Sequence, residues 1–266
     1  MLRKINQIIS VNAFLLILAT LAIAIDFDKS SITKIYYLLT ALTSGTLIFL
    51  IGTKLFKKQK QYRHTLTTIL IIFLLIHPFG IENLWHIGLI TALAVTYKFL
   101  PRKPYIPYFN PAALALVLTY FIFQSLNLET PLISWWGASF SGYTSLILIL
   151  IWLALGITKH RKYPAIFTFL ITLFLLSLAH PAVTLNETLF IFKDSTIYFF
   201  TAIMLIDPKS SPILKQDQIF FGLIAATAYF FLRTEGINNF ELLSILIANL
   251  YLFAKNQFML AKRKQA

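Results

Sequence analysis

The sequence contains no cysteine, which excludes a disulfide scaffold, an iron–sulfur cluster and a thiolate zinc site. It is also poor in charge: Asp, Glu, Lys and Arg together make up 12% of the 266 residues, where a soluble domain carries about 25%. No Walker-type phosphate loop, no Gly-x-Gly-x-x-Gly fingerprint and no His-Glu-x-x-His helix occurs, so most soluble nucleotide and zinc enzymes are excluded. The five histidines and three methionines have no spacing that supports haem ligation. What fills the chain instead is apolar, with 58% hydrophobic and 15% aromatic residues. That composition rules out a disordered chain, which needs low hydrophobicity, and argues against a water-soluble domain. The expectation is a membrane protein.

A helix crosses about 30 Å of hydrocarbon with roughly 20 apolar residues, fewer where it is half-buried. Ten stretches qualify as helices, near residues 5–25, 33–52, 65–79, 84–100, 111–127, 144–158, 163–179, 189–206, 218–232 and 240–259. The expected fold is therefore a single all-α polytopic membrane domain over residues 1–266. The third and sixth stretches are short enough to be tilted partners or half-helices. With ten crossings, all but four of the 23 Lys and Arg residues gather on one side of the membrane. Lys29, Lys34 and Arg233 fall on the other side, and Lys193 inside a span. The positive-inside rule then predicts both termini in the cytoplasm.

The net charge of +13 is spread over short loops beside helix ends, where it sets topology and meets anionic headgroups. No basic stripe interleaved with aromatics lies in a soluble segment, so the expected partner is the lipid bilayer and not nucleic acid. The first span is expected to be a retained helix: it is long for a signal core and shows no small-x-small cleavage site before Asp26. No appended soluble domain is expected.

Charge inside a membrane costs at least about 2.5–3.5 kcal/mol per group, so each instance needs a reason. Lys193 and Asp194 are adjacent, about one turn into the eighth stretch, and with Ser195 and Thr196 are candidates for an ion or solute path. The alternative is that Lys193 snorkels to the surface beside an interfacial Asp194. His77-Pro78 and His180-Pro181 each close an apolar helix, because proline lacks an N–H and clashes with the preceding turn. Asn110-Pro111 and Asp207-Pro208 mark helix starts or turns. Such starts either cap themselves or present N–H groups to an anion such as phosphate.

Four stretches resemble, in order, the RnfD/NqrB family, the integral membrane subunits of Rnf and sodium-translocating NADH:quinone oxidoreductase complexes. Trp85 and Lys98-Phe99-Leu100-Pro101 lead into Phe109-Asn110-Pro111-Ala112-Ala113. Trp136 through Ser145 is similar to the family's Gly-rich loop. Met204-Leu205-Ile206-Asp207-Pro208-Lys209-Ser210-Ser211-Pro212 is like Met-x-Thr-Asp-Pro-x-Thr/Ser-Ser-Pro. Gly222 through Arg233-Thr234-Glu235-Gly236 precedes a last helix containing Asn249. The resemblance covers roughly residues 65–255, leaving the helices at 5–25 and 33–52 as N-terminal additions.

The resemblance implies about ten membrane helices, some broken, in a urea-transporter-like bundle in a bacterial or archaeal cytoplasmic membrane. It further implies FMN or riboflavin and partner redox subunits. On this basis Asn110, Pro111, Gly137, Ser139, Thr144, Ser145, Asp207, Ser210 and Ser211 are candidate flavin contacts. Family members in the pumping complexes link FMN through its phosphate to the last Thr of Ser/Thr-Gly-Ala-Thr. Here Ser141-Gly142-Tyr143-Thr144 has Tyr143 in place of Ala, so a non-covalent flavin is expected and a covalent one at Thr144 is not. No catalytic residue and no metal ligand is assigned. Ser195-Thr196 stands where the family tends to have Gly-Gly.

Three readings follow. The chain is an electron-transfer subunit coupled to ion translocation, at most one part of a membrane oxidoreductase; or a small-solute transporter or channel on the same scaffold without redox chemistry; or an assembly subunit without a ligand. Kinship of fold alone does not choose among them.

Overall fold

The computed structural model describes residues 10–25, 30–57, 62–100, 109–139, 146–147, 149–152, 161–181 and 183–265. The protein is all-helical, and among the described residues the only β pairing is an isolated bridge between Ile76 and Ile133. The chain divides into two compact units: Met1–Pro101 with Leu114–Ser145, and Arg102–Ala113 with Leu146–Ala266.

The first unit contains α1 (Val11–Ile25), α2 (Ser30–Phe56), α3 (Tyr62–Leu75) and α4 (Leu84–Tyr97), with most of α5 (Pro111–Ser125). Its core is α3. From Thr68 to Leu75 every side chain is buried, the pattern of a helix enclosed on all sides. The last carbonyls of such a helix need donors from elsewhere in the protein. They come from the segment after α5: Trp136 Nε1 donates to Phe73 O at 2.9 Å, Gly137 N to Leu74 O at 3.0 Å and Ser134 N to Leu75 O at 3.0 Å. His77 N donates in return to Leu132 O at 2.9 Å, and Pro78 follows as the expected stop.

The second unit is built on α6 (Tyr163–Ala179), α7 (Leu185–Lys193), α8 (Ser195–Phe199), α9 (Lys215–Thr234) and α10 (Phe240–Gln265). Helix α6 has the sequence-expected bounds, with Pro164 in its first turn and His180 turning extended at its end. A Cβ on Gly222 of α9 would lie 2.4 Å from Ala165 O, so the two helix backbones touch where the glycine is. Nearby, Tyr229 packs edge-to-face against Phe169, Phe200 and Phe240, and Phe169 lies tilted against Phe200, with centroids 4.9 to 5.9 Å apart. After α8 the chain winds as a π turn over Phe200–Leu205, all six residues buried.

Among the described residues two helices, Ile32–Phe56 and Phe240–Lys262, are long and apolar enough to cross a membrane. The pair Leu185–Lys193 and Ser195–Leu205, bent by 56°, makes a third if counted as one span. Four more apolar helices (Val11–Ala24, Tyr62–Leu75, Pro111–Ser125, Tyr163–Ala179) are shorter. Apolar side chains also face outward: Leu47 and Leu50 on α2, and Phe167, Ile171 and Leu175 on α6, are all more than half exposed. Outward apolar faces of this kind call for lipid or a protein neighbour. The sixth expected stretch, 144–158, lies largely outside the described residues.

Candidate functional site

The proline-linked starts at Asn110 and Asp207 meet in the second unit. Asn110 is 3% exposed, and its Oδ1 accepts from Ala112 N at 3.1 Å and Ala113 N at 3.2 Å. It is therefore the N-cap of its own helix, with Pro111 in the first helical position, where a missing N–H costs nothing. Its backbone N–H donates to Asn249 Oδ1 at 2.8 Å, and Asn249 Nδ2 donates to Ser210 O at 2.9 Å. Asn110 Nδ2 also reaches Met204 O at 3.5 Å. One asparagine from the middle of α10 thus joins the start of α5 to the Asp207–Pro212 loop.

The loop is also closed on itself. Ser210 Oγ donates to Asp207 Oδ2 at 2.7 Å and Ser211 Oγ to Asp207 O at 2.8 Å, while Ser210 N and Ser211 N both donate to Asp207 O. Asp and Ser side chains favour such local bonds over helix continuation, which is why α9 starts only at Lys215. Lys162, at the N-cap position of α6, donates its ammonium to Ser211 O at 3.3 Å and to Pro212 O. It is 5% exposed; burial pulls its pKa down to about 8, against the opposing pull of the Asp207 carboxylate. A Lys255–Asp217 ion pair ties α10 to α9.

Lys193 and Asp194 stand at the break between α7 and α8, not within a continuous helix. Two caps set the bounds of these helices. Thr184 and Glu187 form a reciprocal capping box that starts α7 at Leu185, earlier than the apolar run suggests. Asp194 then takes an extended conformation (φ −75°, ψ 127°) and its Oδ1 accepts from Thr196 N at 2.9 Å. Lys193 and Asp194 are exposed on the protein, and Ser195 is buried. Tyr198 OH donates back to Phe192 O at 2.9 Å and fastens the bend.

Gly137 and Ser139 belong to the first unit, in the segment that caps α3. A Cβ on Gly137 would meet Leu74 Cδ2 at 2.2 Å, so this glycine permits contact with helix α3. Ser139 donates from both its N and Oγ to Trp135 O. Thr144 and Ser145 lie outside the described residues.

Sequence reasoning missed the two residues that organise the second unit. Lys162 counted only as a topological charge, and Asn249 only as a feature of the last helix. A signal for Asn249 existed: an asparagine within Ile-Leu-Ile-Ala-Asn-Leu has to satisfy its amide inside the protein. No family model matches the chain, and no curated protein does.

Proposed function

We propose that the chain is a multi-pass membrane protein of RnfD/NqrB type that takes part in ion translocation alongside redox subunits. It would hold about ten spans with both termini cytoplasmic in a bacterial or archaeal cytoplasmic membrane. The observation that carries this reading is the span bent by 56° at an adjacent Lys193–Asp194 pair. Discontinuous helices leave backbone groups and helix ends where an ion can be coordinated inside a bilayer, and charge is tolerated there only beside a path or a partner. In this reading Asp194, Ser195 and Thr196 line the path and Lys193 sets its field.

The flavin that the resemblance implies does not fit the Asn110 and Asp207 starts. The first amides of α5 are taken by Asn110 itself, and the serine hydroxyls and amides of the second motif by Asp207. The same observation favours a second reading, a small-solute transporter or channel that uses the broken span without redox chemistry.

The first test is the visible absorption spectrum of the chain purified in mild detergent, before and after acid precipitation. Flavin bands support the redox reading, and colour kept in the precipitate means a covalent link. The second test is cation flux into proteoliposomes: Asp194→Asn, which keeps the capping oxygen, is expected to cut flux at least tenfold. Unchanged flux in that variant removes the bent span from the path.

A further inference from the structure

Lys162 ends in a setting made of oxygen. Its ammonium is bonded to the main-chain carbonyls of Ser211 and Pro212, faces the charge of Asp207, and is sealed from solvent with the residue 5% exposed. Lysine is almost never buried this deeply without a partner, and here its contacting partners are carbonyls. Carbonyl oxygens backed by a carboxylate form the donor set that replaces the hydration shell of an alkali cation. An ammonium carries the same single charge as such an ion.

The loop that carries these carbonyls is also fastened by bonds that do not involve the lysine. Asn249 Nδ2 holds Ser210 O at 2.9 Å, Ser210 Oγ holds Asp207 Oδ2 at 2.7 Å, and Ser211 Oγ holds Asp207 O at 2.8 Å. None of these bonds involves Lys162.

We propose that Lys162 is the tethered occupant of a monovalent-cation site formed by the Ser211 and Pro212 carbonyls with Asp207, and that a potassium-sized ion takes its place when the ammonium is withdrawn. The charged groups on the elements around it are Asp207 and Lys209 on the loop, Lys215 and Asp217 on α9, and Lys255 on α10. Of these, Asp217 is engaged by Lys255, and Lys215 lies over the Tyr163 ring at 5.9 Å. Asp207 is the charge that acts on Lys162, so loss of the lysine's proton leaves the carboxylate uncompensated and the site attractive to a cation. The site rests on the loop's own geometry and stands apart from the redox and translocation readings.

The experiment is thermal unfolding of the full chain in mild detergent, in potassium chloride against choline chloride at equal ionic strength. It is run at about pH 6.5 and about pH 9.5, on either side of the Lys162 titration. The wild-type chain is expected to gain about 3–5 °C from potassium at the higher pH and nothing at the lower, the shift of an ion near ten times its dissociation constant. Lys162→Ala is expected to gain the same at both. Asp207→Asn, which keeps an oxygen for Ser210, is expected to abolish the gain. If Lys162→Ala does not fold, the wild-type pair of measurements decides alone. Equal melting in potassium and choline for the wild-type chain at the higher pH overturns the proposal.

Discussion

The backbone N–H of Asn110 donates to the side chain of Asn249 at 2.8 Å, across 139 positions of sequence. The same amide group donates on its other side to Ser210 O. Its removal strands one buried donor and one buried acceptor at once. A buried polar group without a partner costs about 1–3 kcal/mol, so Asn249→Leu is expected to destabilise the chain by about 2–5 kcal/mol. Asn110→Ala is expected to cost about 1–2 kcal/mol through loss of the cap. Melting temperatures of the two variants check this, and a loss below about 1 kcal/mol in Asn249→Leu would mean that the Asn110 N–H and the Ser210 carbonyl find other partners.

Backbone contact between α6 and α9 is tested at glycine. Gly222→Ala places a methyl against Ala165 O, where neither backbone can yield without moving a helix, and is expected to cost about 1–3 kcal/mol. Gly88→Ala is the control. Its new methyl would meet only Thr40 Cγ2 at 3.4 Å, so a change within about 0.5 kcal/mol is expected there. Comparable losses in both variants would contradict the close approach.

Helix α6 was legible to the residue because Pro164 and the His180-Pro181 pair punctuate it, and such signals act locally. The break at Asp194 was not, since Leu189 to Ile206 reads as one apolar run. The box that starts α7 at Leu185 was there to be read in Thr184 and Glu187. Asn110 was legible as a helix cap, but its partner was not, because hydrogen bonds between distant segments leave no periodicity. Gly137 was noticed as a member of a glycine-rich loop. Its role as close neighbour of Leu74 depends on where α3 ends, which hydropathy does not fix.

Lys162 gives a pH dependence with a defined sign. Its pKa falls from 10.5 in the unfolded chain to about 8 in the folded one. Below about pH 8 both states hold the proton, and the folded state bears the full cost of a buried ammonium. Between about 8 and 10.5 the unfolded chain binds more protons than the folded one, so stability rises with pH, by up to about 3 kcal/mol over the window. Lys162→Met should lack this slope. Melting series for both chains in choline buffer, where no alkali ion contributes, are the check; parallel curves would place the titration elsewhere.

The absence of cysteine makes topology directly testable. Single cysteines at Lys57 and Glu235, both exposed at helix ends, are expected to react with a membrane-impermeant maleimide from opposite faces of intact cells or vesicles. Labelling of both from one side would refute the ten-span arrangement with cytoplasmic termini.

The π turn at Phe200–Leu205 has a consequence for chain length. A π turn accommodates one more residue than an α turn, and one residue corresponds to about 100° of helical rotation. The residues that follow, Ile206 and then Asp207, leave the helix about a quarter-turn or more from where an uninterrupted α-helix would deliver them. Deleting any one residue of this stretch would restore regular winding and improve the local hydrogen bonding. It would also swing the Asp207–Pro212 loop away from both Asn249 and Lys162. The number of residues between α8 and the loop is thus as strict a requirement as their identity, and a shortened chain would be better wound and wrongly aimed.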